Sequence, residues 1–309
     1  MSQTSFDIAP YKSLYPWKPN FFDVGRGVKL HYLDEGQGDP VVMLHGNPTW
    51  SFYWRNLVSA FSGTNRVIVP DHVGCGLSDK PGDDQYDYVL DRRVDDLEAL
   101  LDSLGLTKNL TLVVHDWGGM IGLAFATRHP ERVKRLVVTN TAGFGLPEGR
   151  ALPWQIGVVR FLPFFPVPVR AFNAFSRGAN ALCSTRPGRM TGLVKQAYLA
   201  PYDSWANRIA VQRFVEDIPL QPGDRSWKTV SQVSERLEQF RAIPVLICWG
   251  RRDFVFDDAF LEQWKVRLPH ADVHVFEDAG HYVVEDAHEE IVPLMKKFFA
   301  QHPIGGAAS

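Results

Sequence analysis

Leu110-Thr-Leu-Val-Val-His115-Asp116-Trp117-Gly118-Gly119 passes from an apolar run, through a single acidic residue, into a segment opened by two glycines. An apolar run without polar alternation indicates a strand buried on both faces, as in a parallel sheet. A strand that turns at once into a helix is the geometry that holds a reactive side chain above a sheet. Asp116 sits at that turn. Taken alone it could equally be a helix N-cap, since a carboxylate there satisfies free backbone N–H groups. The residues around this stretch decide between the two.

Apolar runs at 28–32, 41–45, 66–70, 110–115, 133–139, 244–249 and 272–276 read as strands. Helical patterns lie between them, at 50–61, 88–104, 118–129, 260–268 and 285–301. In 88–104, Leu90, Val94, Leu97, Leu101 and Leu104 mark one buried face. This alternation predicts an α/β fold with a mostly parallel, doubly wound sheet. It breaks between 145 and 238, a stretch rich in Pro, Phe and helix-like pieces with no strand until 244. Its aromatic density argues against disorder. The expected organisation is a main domain formed by 1–144 and 239–309, with a helical cap at 145–238.

With 45% hydrophobic and 22% charged residues, the chain has the composition of a soluble globular protein, and 309 residues suit one α/β domain with an insertion. A net charge of −2 gives no broad pull toward nucleic acid or anionic lipid. The most apolar stretch, 151–175, is broken by Arg160, Arg170 and prolines, so no transmembrane segment is expected. Cys75, Cys183 and Cys248 are widely spaced and odd in number, and MSQTSFDIAP shows no secretory pattern. Both point to a reducing, cytoplasmic setting. No His/Cys ligand set is visible and Gly74-Cys75-Gly76 is not a phosphate loop, so neither a metal nor an organic cofactor is expected.

Three further motifs follow strands. His45-Gly46-Asn47-Pro48 is placed to lend a backbone N–H to an oxyanion hole, with Trp117 supplying another. Trp249-Gly-Arg-Arg-Asp253 and Asp278-Ala-Gly-His281 add a carboxylate and a histidine at successive strand ends, in the order nucleophile, acid, base. A carboxylate nucleophile is already ionised at neutral pH and suits displacement at a saturated carbon. Asp116 would form an ester with the substrate's alkyl group, and His281, oriented by Asp253, would activate the water that cleaves it.

HGNPTWSFYWR at 45–55, DHVGCGLSDKP at 71–81, HDWGG at 115–119, GRRD at 250–253 and DAGH at 278–281 resemble the haloalkane dehalogenase and epoxide hydrolase branch of the α/β-hydrolase superfamily. The resemblance covers nearly the whole chain and is weakest in the cap. It implies the α/β-hydrolase fold, an Asp116–His281–Asp253 triad and a halide-binding pair formed by Asn47 and Trp117. Thr139-Asn140-Thr141 offers no carboxylate where one dehalogenase subgroup keeps its triad acid, so the chain is similar to the third dehalogenase subfamily. That group is similar to the β-lactone decarboxylases of bacterial olefin biosynthesis, which CWGRRDFVFDD at 248–258 also resembles. Haloalkane hydrolysis is the leading expectation and β-lactone decarboxylation the alternative. Epoxide hydrolysis would use Tyr198 and Tyr202 as acids, and some members of the fold only bind ligands. Trp154, Phe161, Phe164, Phe165, Phe172 and Phe175 are expected to line a dry channel for an apolar or long-chain alkyl substrate. A homo-oligomer or an assembly with pathway enzymes is consistent with the resemblance.

Overall fold

The computed structural model describes residues 6–161, 164 and 166–304. Its strands are β1 (Asn20–Asp23), β2 (Lys29–Glu35), β3 (Pro40–Leu44), β4 (Arg66–Pro70), β5 (Leu110–His115), β6 (Val133–Thr139), β7 (Val245–Gly250) and β8 (Asp272–Phe276). They form one sheet in the order β1-β2-β4-β3-β5-β6-β7-β8. β1 and β2 are antiparallel additions at one edge, and the rest of the sheet is parallel. β5 lies centrally and is buried along its whole length, which explains its unbroken apolar run. β1, which the sequence does not betray, is a short half-exposed strand whose Phe22 packs on the core while Phe21 is exposed.

The main-domain helices are α1 (Arg55–Phe61), α2 (Leu90–Ser103) and α3 (Trp117–Arg128), joined after the cap by α10 (Asp258–Arg267) and α11 (Val283–Gln301). Two buried apolar clusters flank the sheet, one holding α2 and α3 residues such as Leu97 and Ile121, the other α1 and α11 residues such as Leu57 and Ile291. Between β6 and β7 run α4 (Trp154–Phe161), α5 (Pro166–Phe172), α6 (Ala174–Leu182), α7 (Gly192–Leu199), α8 (Ile209–Glu216) and α9 (Trp227–Arg236). Ile156, Val169, Tyr202, Val211 and Val215 make a separate small core that ties α4, α5 and α8 together. α9 leans back onto α3. No helix among the described residues is long and apolar enough to cross a membrane.

Candidate active site

β5 ends at His115 and α3 begins at Trp117, so Asp116 alone makes the turn. Its φ of 50° lies in a region that side-chain-bearing residues seldom occupy. The turn is pinned by the Asp116 N–H, which donates to Asn140 O at 3.1 Å, and by the Asp116 carbonyl, which accepts from Gly119 N–H and the Thr141 hydroxyl. A Cβ on Gly118 would stand 2.0 Å from Leu44 O, and one on Gly46 2.0 Å from Asp116 Oδ1. Only glycine lets β3, its following loop and the turn approach this closely.

That loop brings the Asn47 N–H to 2.7 Å from Asp116 Oδ1. His281 Nε2 lies 3.6 Å from Asp116 Oδ2, while His281 Nδ1 donates to Asp253 Oδ2 at 2.8 Å. All three side chains are buried. Burial pushes the Asp116 carboxyl above its ordinary value, partly offset by the charge of His281 and the N–H groups of Asn47 and Trp117. Burial opposes the charged form of His281, yet the charge and hydrogen bond of Asp253 and the charge of Asp116 outweigh it and raise its pKa above 6.5. The arrangement is a carboxylate, an imidazole beside it, and a second carboxylate hydrogen-bonded to the far side of that imidazole.

Several supporting residues carried no signal in the sequence. Asn140 Nδ2 donates to Asp253 Oδ2 and to Gly250 O, both at 3.0 Å, and its Oδ1 accepts from Gly250 N–H at 2.7 Å. The segment noted for lacking a carboxylate therefore supplies an amide that holds the acid of the next strand. Adjacency of β6 and β7 creates this contact, with Thr139 paired to Cys248. His115 Nε2 donates to His281 O at 2.8 Å, and Asp286 accepts from Gly280 N–H at 2.7 Å, fixing the turn that carries His281. Asn140→Ala should lower stability by about 2 kcal/mol, since it leaves buried groups unpaired. It should also slow cleavage of any alkyl-enzyme ester more than formation of that ester. Denaturant unfolding and single-turnover kinetics check this, and equal slowing of both steps would assign Asn140 no role in orienting the imidazole.

Asp116 and His281 open into a cavity of about 440 Å³ whose other walls are mostly apolar, including Met120, Phe144, Leu152, Val215 and Val230. Asn47 and Trp117 both line it. The Asn47 amide also donates to Val211 O at 3.1 Å, tying the loop to the cap.

The cap residues divide differently from the expectation. Trp154 and Phe175 line the cavity, Trp154 at its exposed rim. Phe161, Phe164 and Phe172 do not line it and are exposed to solvent, because the inward sides of α4 and α5 are taken by Ile156 and Val169. Phe165 lies outside the described residues. Tyr198 and Tyr202 are also outside the cavity lining. Tyr198 donates its hydroxyl to Glu285, which is ion-paired with Arg55, and Tyr202 donates to Thr49 O at 3.1 Å. Both are buried hydroxyls engaged away from the cavity, so neither is placed to protonate a leaving group there.

A family model described as the alpha/beta hydrolase fold matches residues 39–287. The chain belongs to this family. A cis-3-alkyl-4-alkyloxetan-2-one decarboxylase from Shewanella oneidensis is 54% identical, the match covering 94% of this chain and 90% of that protein. A decarboxylase of the same name from Xanthomonas campestris is 49% identical over 94% of this chain and 98% of its own length. A haloalkane dehalogenase from Mycolicibacterium paratuberculosis is 33% identical over 90% and 91% of the two chains. Among solved structures, the tetrameric haloalkane dehalogenase DpaA from Paraglaciecola agarilytica superposes with a TM-score of 0.80 at 26% identity, covering 95% of this chain and 97% of that one. The relatives are thus α/β-hydrolase enzymes, and the decarboxylases among them are more similar than the dehalogenase. This reverses the order of the two leading expectations.

Proposed function

We propose that the protein is a β-lactone decarboxylase that converts cis-3,4-dialkyl oxetan-2-ones into alkenes and carbon dioxide, with Asp116 as nucleophile. The observation that carries the reading is a buried carboxylate on a strained turn, facing an apolar cavity beside an imidazole whose neighbouring carboxylates raise its pKa. The names of the two relatives of about half identity supply the substrate class.

Asp116 Oδ2, the oxygen not held by the Asn47 N–H, attacks ring carbon C4. The C4–O bond breaks, the ring oxygen leaves as part of a carboxylate on C3, and an ester joins C4 to Asp116. Release of four-membered ring strain drives this step. The electrons of the bond between C3 and its carboxylate then form the C3=C4 double bond, carbon dioxide departs, and the Asp116 oxygen leaves with its bonding pair. Nothing is oxidised and no water is consumed. The His281 imidazolium, 3.6 Å away, favours the carboxylate as it re-forms. Inversion at C4 followed by anti elimination turns a cis lactone into a cis alkene.

Haloalkane hydrolysis is a second reading, favoured because Asn47 and Trp117 both line the cavity beside Asp116. Both side chains are hydrogen-bond donors suited to a leaving anion. The ester would then have no carboxylate to lose and would wait for water activated by neutral His281, with the Asn47 and Trp117 N–H groups holding the oxyanion. A panel of cis-β-lactones and 1-bromoalkanes of increasing chain length separates the two. We expect kcat/KM on the lactones to rise with chain length, each buried methylene being worth about 0.8 kcal/mol, and to exceed that on matched bromoalkanes. Faster bromide release than alkene formation at every length would make the protein a dehalogenase.

A further inference from the structure

The cap carries charge and apolar surface that the reaction does not use. From Glu148 to Asp203 the chain has no acidic residue between them, yet it holds arginines at 150, 160, 170, 177, 186 and 189 and Lys195. The near-zero net charge of the chain conceals this segregation. Arg150, Arg160, Arg186 and Arg189 are spent on carboxylates, Asp257, Asp224, Asp278 and Glu289 among them. Arg177 and Lys195 are exposed and form no ion pair among the described residues. Arg170 covers the ring of Trp205 at 4.7 Å, and Trp205 is itself half exposed.

The same segment exposes its largest apolar side chains. Trp154 is 74%, Phe161 65%, Phe164 82% and Phe172 69% exposed, with Val167 and Leu182 about half exposed. Trp154 and Phe161 lie seven residues apart on α4 and so share one face. These residues are outward by geometry, since Ile156 and Val169 fill the inward sides of α4 and α5. Trp154 and Leu182 also line the cavity, so the exposed apolar surface continues into its mouth. Such a patch on a soluble chain marks a contact surface. Exposed aromatic side chains in one segment with Arg170, Arg177 and Lys195, none of which is ion-paired among the described residues, are suited to the headgroup boundary of an anionic bilayer. A second copy fits less well, because a two-fold contact would set the acid-free segment against itself.

We propose that the outer face of α4 and α5 docks on an anionic phospholipid bilayer, placing the cavity mouth against the lipid so that a water-insoluble substrate reaches Asp116 without crossing water. This rests on the reading of the substrate as a long-chain lactone, but docking is measured without substrate and fails or succeeds separately. The full chain is sedimented with vesicles of phosphatidylcholine alone or mixed with phosphatidylglycerol. Binding should be at least about tenfold tighter to the mixed vesicles and should weaken as salt is raised from about 0.1 M to 0.5 M, where screening lengths shorten. The triple variant Phe161→Ser, Phe164→Ser, Phe172→Ser removes no cavity residue. It should lose at least about tenfold in vesicle binding and in turnover of a vesicle-borne long-chain lactone. Turnover of a short, water-soluble lactone should be unchanged, which also reports that the variant is folded. Wild-type protein that stays in the supernatant with both vesicle types would overturn the proposal, as would sedimentation indifferent to the triple variant. A concentration-dependent dimer that the variant dissolves would assign the face to a second copy instead.

Discussion

Asp116→Ala should abolish turnover of both β-lactones and bromoalkanes, by about 10⁵-fold or more, because removal of a nucleophile leaves only binding and electrostatic contributions. Stability should hold or rise. Burial disfavours the ionised carboxylate by more than the charge of His281 and the N–H groups of Asn47 and Trp117 return, so at neutral pH this side chain is no net support to the native state. Progress curves with either substrate, together with thermal unfolding, check both halves of the expectation. Retained lactone turnover would mean that another group opens the ring. A large loss of stability would mean that the elbow carboxylate is chiefly structural.

His281→Gln should separate the two chemistries. With a bromoalkane, attack by Asp116 needs no base but ester cleavage does, so turnover should fall by about 10⁴-fold. Intact-protein mass spectrometry should then find the alkyl group on the Asp116 peptide. With a cis-β-lactone the ester discharges by losing carbon dioxide, and only the favourable charge of the imidazolium is missing, so the loss should be nearer about 10²-fold. Acidification of the unmutated protein should show the same contrast. Hydrolysis needs neutral His281, whose pKa is raised, so it should begin to fall while the pH is still above 6.5. Decarboxylation needs no base and should persist through that range, falling only when Asp116 itself takes up a proton. Equal losses on the two substrates, in the variant or with pH, would show that lactone turnover also passes through base-activated water.

Much of this was legible because it is local. Two-faced burial writes itself as runs such as Val41–Leu44 and Leu110–Val114, and the parallel strands follow from them. The turns after β3, β5, β7 and β8 carry Asn47, Asp116, Asp253 and His281, and chain order alone suggested that they meet. What was not legible depends on pairing distant in sequence or on which way a side chain faces. Asn140 reaches Asp253 only because β6 and β7 are neighbours in the sheet. Tyr198 and Tyr202 lie one helical turn apart, yet the first turns to the Arg55–Glu285 pair and the second to Thr49. The cap aromatics are dense enough to predict apolar surface but not its side, so Phe161, Phe164 and Phe172 point away from the cavity they were expected to line. β1 is not legible because a half-exposed edge strand of this length leaves little periodicity to read.

The central claim is that Asp116 attacks a saturated ring carbon and that the resulting ester ends by losing carbon dioxide rather than by meeting water. It is tested most directly by turning over a long-chain cis-3,4-dialkyl β-lactone in water enriched in ¹⁸O and analysing every product. The account predicts a cis alkene and carbon dioxide in equal amounts, with no label in carbon dioxide trapped before it exchanges with solvent. A labelled β-hydroxy acid as the main product would contradict it, since that outcome requires water to complete the reaction.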